Sequence, residues 1–288
     1  MQTSRQRLHV MVLCRNATNA ESIRQFGVRV LWGDLDRAHS LARFAGLAHR
    51  VVHLAPPDDA SEQWWRDLRT LALVRALRRR MAPRQLVYGS TSGVYGTRHG
   101  SWVSEVMPAQ PHTPRACRRV DAEHIVRHWG RTQAAKAPPS CSVSILRISA
   151  IYAPDRAGST PRERLLRGMS VLTRADDIYI NHVHADDLAR ACWLAMWRGK
   201  NQRIYNVNDD SSMKMGDYFE MAAALYNLPK PSRLPLQAAR EILPLSLLGF
   251  MQESRRMRNT RIKEELRWRP HYPTPAEGLL GDIQGRLF

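Results

Sequence analysis

Three adjacent hydroxyl side chains, Ser90-Thr91-Ser92, follow the apolar run Leu86-Val87-Tyr88-Gly89 and lead into Gly93-Val94-Tyr95-Gly96. A short apolar strand ending in small hydroxyls offers hydrogen-bonding groups where a ligand can reach them, because open parallel sheets bind ligands at the carboxyl ends of their strands. A second chemical grouping is Asn181-His182-Val183-His184 with Asp186-Asp187. Residues two apart share one face of a strand, so two imidazoles and two carboxylates there raise the possibility of a zinc site.

The elements that must position these groups are readable as alternating strands and helices. Leu8–Cys14, Val28–Trp32, Val51–Ala55, Gln85–Gly89, Ser142–Ile148 and Arg203–Val207 are short, nearly continuous apolar runs, as expected of strands buried on both faces. Helices are predicted over 18–26, 38–45, 61–81, 115–130 and 161–170, and a strand over 178–183. A helix to about 198 follows His184-Ala185-Asp186-Asp187, with an Asp as its N-cap. A Pro- and Gly-rich loop spans 96–114. This alternation predicts a parallel sheet covered on both faces. Asp34, Pro56-Pro57, the hydroxyl triplet and Tyr152 end strands and are expected to line one crevice.

Composition excludes several classes. The formal charge is +18 with 44 basic residues, of which only Lys136, Lys200, Lys214, Lys230 and Lys263 are lysine. The longest basic run is Arg78–Arg80, without interleaved aromatics, so the charge reads as an arginine-rich surface rather than a nucleic-acid footprint. Cys14, Cys117, Cys141 and Cys192 form no C-x-x-C pair, and Cys14, Cys141 and Cys192 lie in apolar stretches. The first ten residues lack a signal-peptide core. The longest strongly apolar stretch, Leu243–Met251, is too short for a membrane span. These features predict a cytoplasmic protein, a monomer or homodimer, with a small-molecule partner and neither nucleic acid nor membrane.

Gly33-Asp34-Leu35, His53-Leu54-Ala55, Ser90 to Gly96, Leu146-Arg147 with Tyr152 and Pro154, and His184-Ala185-Asp186-Asp187-Leu188-Ala189 stand in the order and spacing of one family. Together with the tail Glu253-Ser254-Arg255-Arg256 … Leu266 … Glu277-Gly278-Leu279, they resemble the extended short-chain dehydrogenases/reductases, the NAD-dependent epimerase/dehydratase proteins of sugar-nucleotide chemistry. The resemblance is nearest to a bacterial branch of NAD(P)-dependent oxidoreductases or epimerases.

It implies an α/β, doubly wound parallel sheet (Rossmann-like) with a smaller C-terminal substrate region. Residues 1–155 and 186–210 would form the dinucleotide-binding domain, and 156–185 and 211–288 the substrate-binding region. Asp34 would accept a hydrogen bond from the adenine amino group, with Leu35 beside the ring. Leu54, Ala55 and Pro56 would run past the ribose and phosphates. Ser90 would also lie on the cofactor side, and the Ile148 backbone would reach the nicotinamide. Thr91 would hydrogen-bond the reacting hydroxyl or carbonyl. Arg15 stands where a basic residue suits the 2′-phosphate of NADP over NAD. The His182/His184 stretch would be a strand-to-helix junction without metal.

The chain departs from the family twice. Aligned on Asp121-Ala122-Glu123, the family's catalytic Tyr is Arg115 and its Lys, four residues on and on the same helix face, is Arg119. Arginine stays protonated and cannot shuttle a proton near neutral pH, which leaves His112 in the nearby loop as the first candidate for that role. The second departure is that no G-x-G-x-x-G follows a strand; the first glycine is Gly27. Leu8–Cys14 matches the family's second strand, so the first strand, glycine loop and helix are missing from these residues, as a start codon placed downstream or a truncated gene would leave it. The sequence therefore predicts an NAD(P)-binding protein, an oxidoreductase or epimerase acting on a hydroxyl or carbonyl of a sugar-like or nucleotide-linked substrate. A non-catalytic NAD(P)-binding regulator on the same fold is the alternative.

Overall fold

The structure, a computed structural model, describes residues 8–136, 141–153, 158–242 and 253–285. The Leu243–Met251 stretch and Pro154 lie outside the described residues.

The central sheet is parallel, with β3 (Arg50–His53), β4 (Gln85–Thr91), β6 (Ser142–Ile148) and β11 (Arg203–Val207) in the order β11-β6-β4-β3. Its side chains alternate faces as the two-residue period requires. Leu86 and Tyr88 of β4, with Val143 and Ile145 of β6, pack against α2 (Leu68–Leu77) and α3 (Pro114–Ala134). Val87, Leu146 and Ile148 pack on the other side with α5 (Ala185–Arg198) and with Ile262, Leu266 and Trp268. Residues 260–268 thus share the sheet's core. A second core, around Tyr152, Leu172, Ile178, Tyr218 and Phe219, belongs to the C-terminal region with α6 (Met215–Leu225).

β1 (Met11–Cys14) and β2 (Arg29–Trp32) form a separate parallel pair. Among the described residues, the far edge of β1 and the outer edge of β3 have no strand partner. Beside β3, Arg50 donates to the Met196 carbonyl (3.0 Å) and stacks over Trp197 (3.8 Å to the ring centre). Trp193 and Trp197 stand 44% and 48% exposed on α5.

Local predictions need four adjustments. The helix expected over 61–81 starts only at Leu68, because Asp67 caps it by accepting from the Thr70 amide (3.0 Å). The helix expected over 161–170 is α4, Arg162–Leu166, with Gly168 at φ 67° just beyond it. The strand expected over 178–183 is two, β9 (Tyr179–Ile180) and β10 (His182–His184), the latter pairing with β7 (Ala150–Tyr152). The N-cap of α5 is His184, not an Asp: its Nδ1 accepts from the Asp186 amide (3.2 Å), while the Asp187 carboxylate takes the His271 and Tyr272 amides.

One buried ion pair joins the elements that carry the candidate chemistry. Arg147 on β6 donates twice to Glu123 on α3 (3.0 and 2.8 Å), and Ser90 Oγ on β4 donates to the same carboxylate (2.6 Å). Both charges are 4% exposed, and Arg147 also lies over the Tyr95 ring at 4.6 Å. Removing one member leaves the other charge buried and unpaired. We therefore expect Arg147→Met to lower the unfolding free energy by about 3–5 kcal/mol in denaturant titration. The double substitution Arg147→Met/Glu123→Leu should recover most of that loss.

Candidate active site

β4 runs into a 3-10 turn, Ser92–Tyr95, capped by Thr91, whose Oγ1 accepts from the Gly93 amide (3.3 Å). The turn closes at Gly96, φ 64°, where a Cβ would meet the Gln110 carbonyl at 2.2 Å; only glycine fits. At this end of the sheet opens a cavity of about 860 Å³. One wall holds Thr91, Ser92, Thr113 and Arg115, from the end of β4 and the start of α3. Ile178, Met215, Tyr218 and Phe219, from the second core, give the lining apolar and aromatic side chains. Asp59, Arg118, Arg164, Asn181, His182, Glu253 and Arg255 are among the other polar and charged residues of the lining.

The three hydroxyls divide their tasks. Ser90 is buried against Glu123 and does not line the cavity, whereas Thr91 and Ser92 do. Arg255, from the segment before β14 (Arg256–Met257), holds this loop: it donates to the Gly96 carbonyl (2.8 Å) and to Ser92 Oγ (3.4 Å), and pairs with Glu253 (3.0 Å). The 96–114 loop is fixed by the same segment, through the pairing of β5 (Trp102–Val103) with β14.

The two arginines in the Tyr and Lys positions part company. Arg115 is exposed and lines the cavity. Arg119 is buried and absent from the lining; its Nη1 donates to the Gly89 carbonyl (2.7 Å), Tyr88 Oη (3.1 Å) and the Ala55 carbonyl (3.3 Å). A guanidinium carries five donors and can satisfy several oxygens at once, so Arg119 ties the ends of β3 and β4 together. The nearby His53 is held neutral, its pKa lowered to about 3 by burial and then by the Arg119 charge. His112 packs against Gly96 and does not line the cavity either.

The residues expected at the cofactor lie along other strand ends. Asp34, after β2, is half-buried; its Oδ1 accepts from the Asp36 amide (3.0 Å), and Leu35 lies beside it in sequence. Leu54 is 48% exposed after β3. Ala55 and Pro56 present their carbonyls to Arg119 and Arg69. Ile148 is buried at the end of β6, in register with Thr91. Arg15 is exposed and reaches Asp36 at 3.5 Å. Asp36 also takes a bidentate Arg69 (2.6 and 2.7 Å), which holds its carboxyl below the usual range. Arg69 therefore bridges the ends of β2 and β3, a tie that helix spacing alone did not reveal.

His182 is 2% exposed, lines the cavity, and stacks on Tyr218 at 4.2 Å. Neither ring nitrogen has a hydrogen-bond partner among the described residues, and burial alone lowers its pKa to about 3, so the ring is neutral. Among the described residues no group of His, Cys, Asp and Glu side chains is arranged to hold a metal, and no helix is long and apolar enough to cross a membrane.

A buried polar group without a partner costs about 1–3 kcal/mol. His182→Phe should therefore raise the midpoint of thermal unfolding, an outcome opposite to that of most core substitutions. The NAD dependent epimerase/dehydratase family model matches residues 2–208. No curated protein matches. Among solved structures, a conserved protein of unknown function from Silicibacter pomeroyi superposes with a TM-score of 0.78 at 26% identity, covering 97% of this chain and 91% of that one. UDP-glucose 4-epimerase from Thermotoga maritima gives 0.74 at 21% identity, over 97% and 92%. The dTDP-glucose 4,6-dehydratase of Bacillus anthracis, solved with NAD, gives 0.76 at 18% identity, over 99% and 89%. With the family's model covering most of its length and the family's fold around its cavity, the chain belongs to the NAD-dependent epimerase/dehydratase family.

Proposed function

We propose that the protein is an NAD(P)-dependent oxidoreductase or epimerase acting on a hydroxyl or carbonyl of a sugar-like or nucleotide-linked substrate. The observation that carries this reading is the placing of Thr91, Ser92 and Arg115 on one wall of the large cavity, at the strand ends where this fold binds ligands. Neighbours bound to UDP-glucose and to NAD support the substrate and cofactor classes. Asp34 with Leu35 suits the adenine end of a dinucleotide, and the ends of β4 and β6 suit the nicotinamide end. When bound, the nicotinamide supplies a hydride or accepts one. Thr91 would hold the reacting oxygen through its hydroxyl, and Arg115 would donate a hydrogen bond without accepting a proton. Arg15 favours NADP, with its link to Asp36 to be broken by the 2′-phosphate.

One observation favours the non-catalytic alternative. Arg119 is committed to backbone carbonyls and Arg115 cannot serve as a base, so proton transfer of the Tyr/Lys kind has no agent here. Absorbance of NADPH at 340 nm, measured on the chain extended by the strand–loop–helix unit inferred below and in the presence of carbonyl sugars and of UDP-linked sugars, separates the two. The enzymatic reading predicts turnover on the order of 1 s⁻¹ or more; bound cofactor without turnover on any of them supports the regulatory one.

The middle of the dinucleotide has no holder among the described residues. We infer that a strand–loop–helix unit belongs between β1 and β3. Among the described residues β1 and β3 each have one edge without a strand partner, and a strand between them would join the two parallel sheets into one. Its helix would cover Trp193 and Trp197, and its N-terminus would take the pyrophosphate. In-frame reading of the DNA upstream of Met1 should reveal roughly 25–30 residues carrying a glycine motif, the length of such a unit. An upstream stop codon, or a reading without that motif, would contradict this inference.

A further inference from the structure

The parallel strands share one starting edge, and the segments that enter them there carry charge of one sign. Arg69 joins Asp36, after β2, to the Pro56 carbonyl, after β3, so the carboxyl ends of both parallel sets lie together and their first residues lie at the opposite end. The connections into β2, β3, β4, β6 and β11 are residues 25–28, 45–49, 78–84, 135–141 and 199–202, and their sequence contains no Asp or Glu. It contains Arg78, Arg79, Arg80, Arg84, Lys136 and Lys200, while Arg29 and Arg50 open β2 and β3. Acids stand at the other end: Asp34 and Asp36 follow β2, Asp58 and Asp59 follow β3, and Asp209 and Asp210 follow β11. Glu265 answers Lys200 and Arg203 beside β11, which leaves the one-signed part around β2, β3 and β4.

Large apolar side chains stand among these cations. Phe26, Leu47 and Met81 are 76%, 48% and 68% exposed. The connections into β3 and β4 adjoin: a Cβ on Gly46 would lie 3.4 Å from the Arg80 Cβ and 3.9 Å from the Met81 amide nitrogen, and the Arg84 amide donates to the His49 carbonyl (2.8 Å). Leu47 and Met81 therefore belong to touching loops, in the company of the exposed Arg78, Arg79, Arg80 and Arg84. A cation near a helix carboxyl end answers the helix dipole, which accounts for Arg78 at the end of α2. The dipole accounts neither for Arg29 and Arg84, at or just before a strand, nor for the exposure of Phe26 and Met81.

We propose that this end of the sheet docks on an anionic lipid surface, with Leu47 and Met81 entering the interface and Arg78, Arg79, Arg80 and Arg84 meeting the headgroup phosphates. The apolar stem of an arginine lies along hydrocarbon while its guanidinium stays in the polar layer, so the two kinds of side chain act together. Nucleic acid would match the cations but offers no apolar phase to Leu47 and Met81. A second copy of the chain would set like charge against like. The contact is with a surface and leaves the large cavity, at the opposite end of the strands, facing away from the lipid. Sequence alone shows only the run Arg78–Arg80; the packing of residues 45–49 against 78–84 is what gives that run its apolar neighbours.

Flotation of the 288-residue chain with lipid vesicles tests the proposal. Phosphatidylcholine vesicles containing about 30 mol% phosphatidylglycerol should carry the protein up the gradient, pure phosphatidylcholine vesicles should not, and binding should fall as salt rises. Arg79→Ala/Arg80→Ala and Leu47→Ser/Met81→Ser should each weaken binding by about fivefold or more. Arg162→Ala/Arg167→Ala removes the same charge from exposed positions of the C-terminal region and should leave binding unchanged. All six positions are exposed, so thermal unfolding should be alike in the three variants; Met81→Ser alone should still weaken binding if the double loop variant unfolds early. Flotation with neither kind of vesicle, or equally with both, would overturn the proposal. So would equal losses from the 162/167 and 79/80 pairs, which would trace binding to the overall charge of +18. Binding to duplex DNA that needs Arg79 and Arg80, with vesicle binding indifferent to Leu47 and Met81, would assign the face to nucleic acid instead.

Discussion

The buried pair of Glu123 and Arg147 is the constraint on which the candidate site depends. It links α3 to β6, and through Ser90 to β4, within a core that excludes water. Helix α3 carries Arg115, Arg118 and Arg119 toward the strand ends, so a shift of this helix would displace three of the cavity's or crevice's cations together. The loop after β4 is held from the other side by Arg255 and by Gly96, which alone tolerates the approach of Gln110. Thr91 and Ser92 face the cavity because both supports act on the few residues between them.

The arginine richness of the chain has a structural use that a surface reading misses. Arg119 serves two backbone carbonyls and a phenol, Arg69 bridges two strand ends, and Arg233 joins Asp177, Asp217 and Glu220. In each case the planar, permanently charged guanidinium satisfies several acceptors in one geometry, which a lysine ammonium does less well. The same permanence removes proton transfer from positions 115 and 119. What the substitution offers in cohesion it withdraws from acid–base chemistry.

Much of this was legible in the sequence. The nearly continuous apolar runs pointed to the parallel sheet, because burial on both faces leaves a strong pattern, and the hydroxyl triplet marked the strand end at which the cavity opens, although Asp34, Pro56 and Pro57, expected in the same crevice, do not line it. Helix limits were less legible: Asp67 and His184 cap by side-chain geometry, and a histidine cap has no strong compositional signal. Long-range partners were illegible. Nothing in local spacing places Arg255 on Ser92 or Arg164 in the cavity, since those contacts depend on how the C-terminal region folds back. The orphaned imidazole of His182 is likewise a property of tertiary packing, although the residue itself stood out in the sequence for its pairing with His184.

The separation of the β1–β2 pair from the four-stranded sheet bears on cofactor binding more than any single side chain. On the proposed reading the residues suited to the adenine end, Asp34 and Leu35, follow the β1–β2 pair, those suited to the nicotinamide end lie on the four-stranded sheet, and among the described residues no glycine-rich strand-to-helix turn stands between them. Calorimetric titration of NADPH into the 288-residue chain, and into the chain extended by the strand–loop–helix unit, measures this directly. The account predicts no binding tighter than about 100 μM, or about −5.5 kcal/mol, for the former. It predicts affinity at least tenfold higher for the latter. Binding by the 288 residues alone at low micromolar concentration or below would contradict it, because some other loop would then have to hold the pyrophosphate.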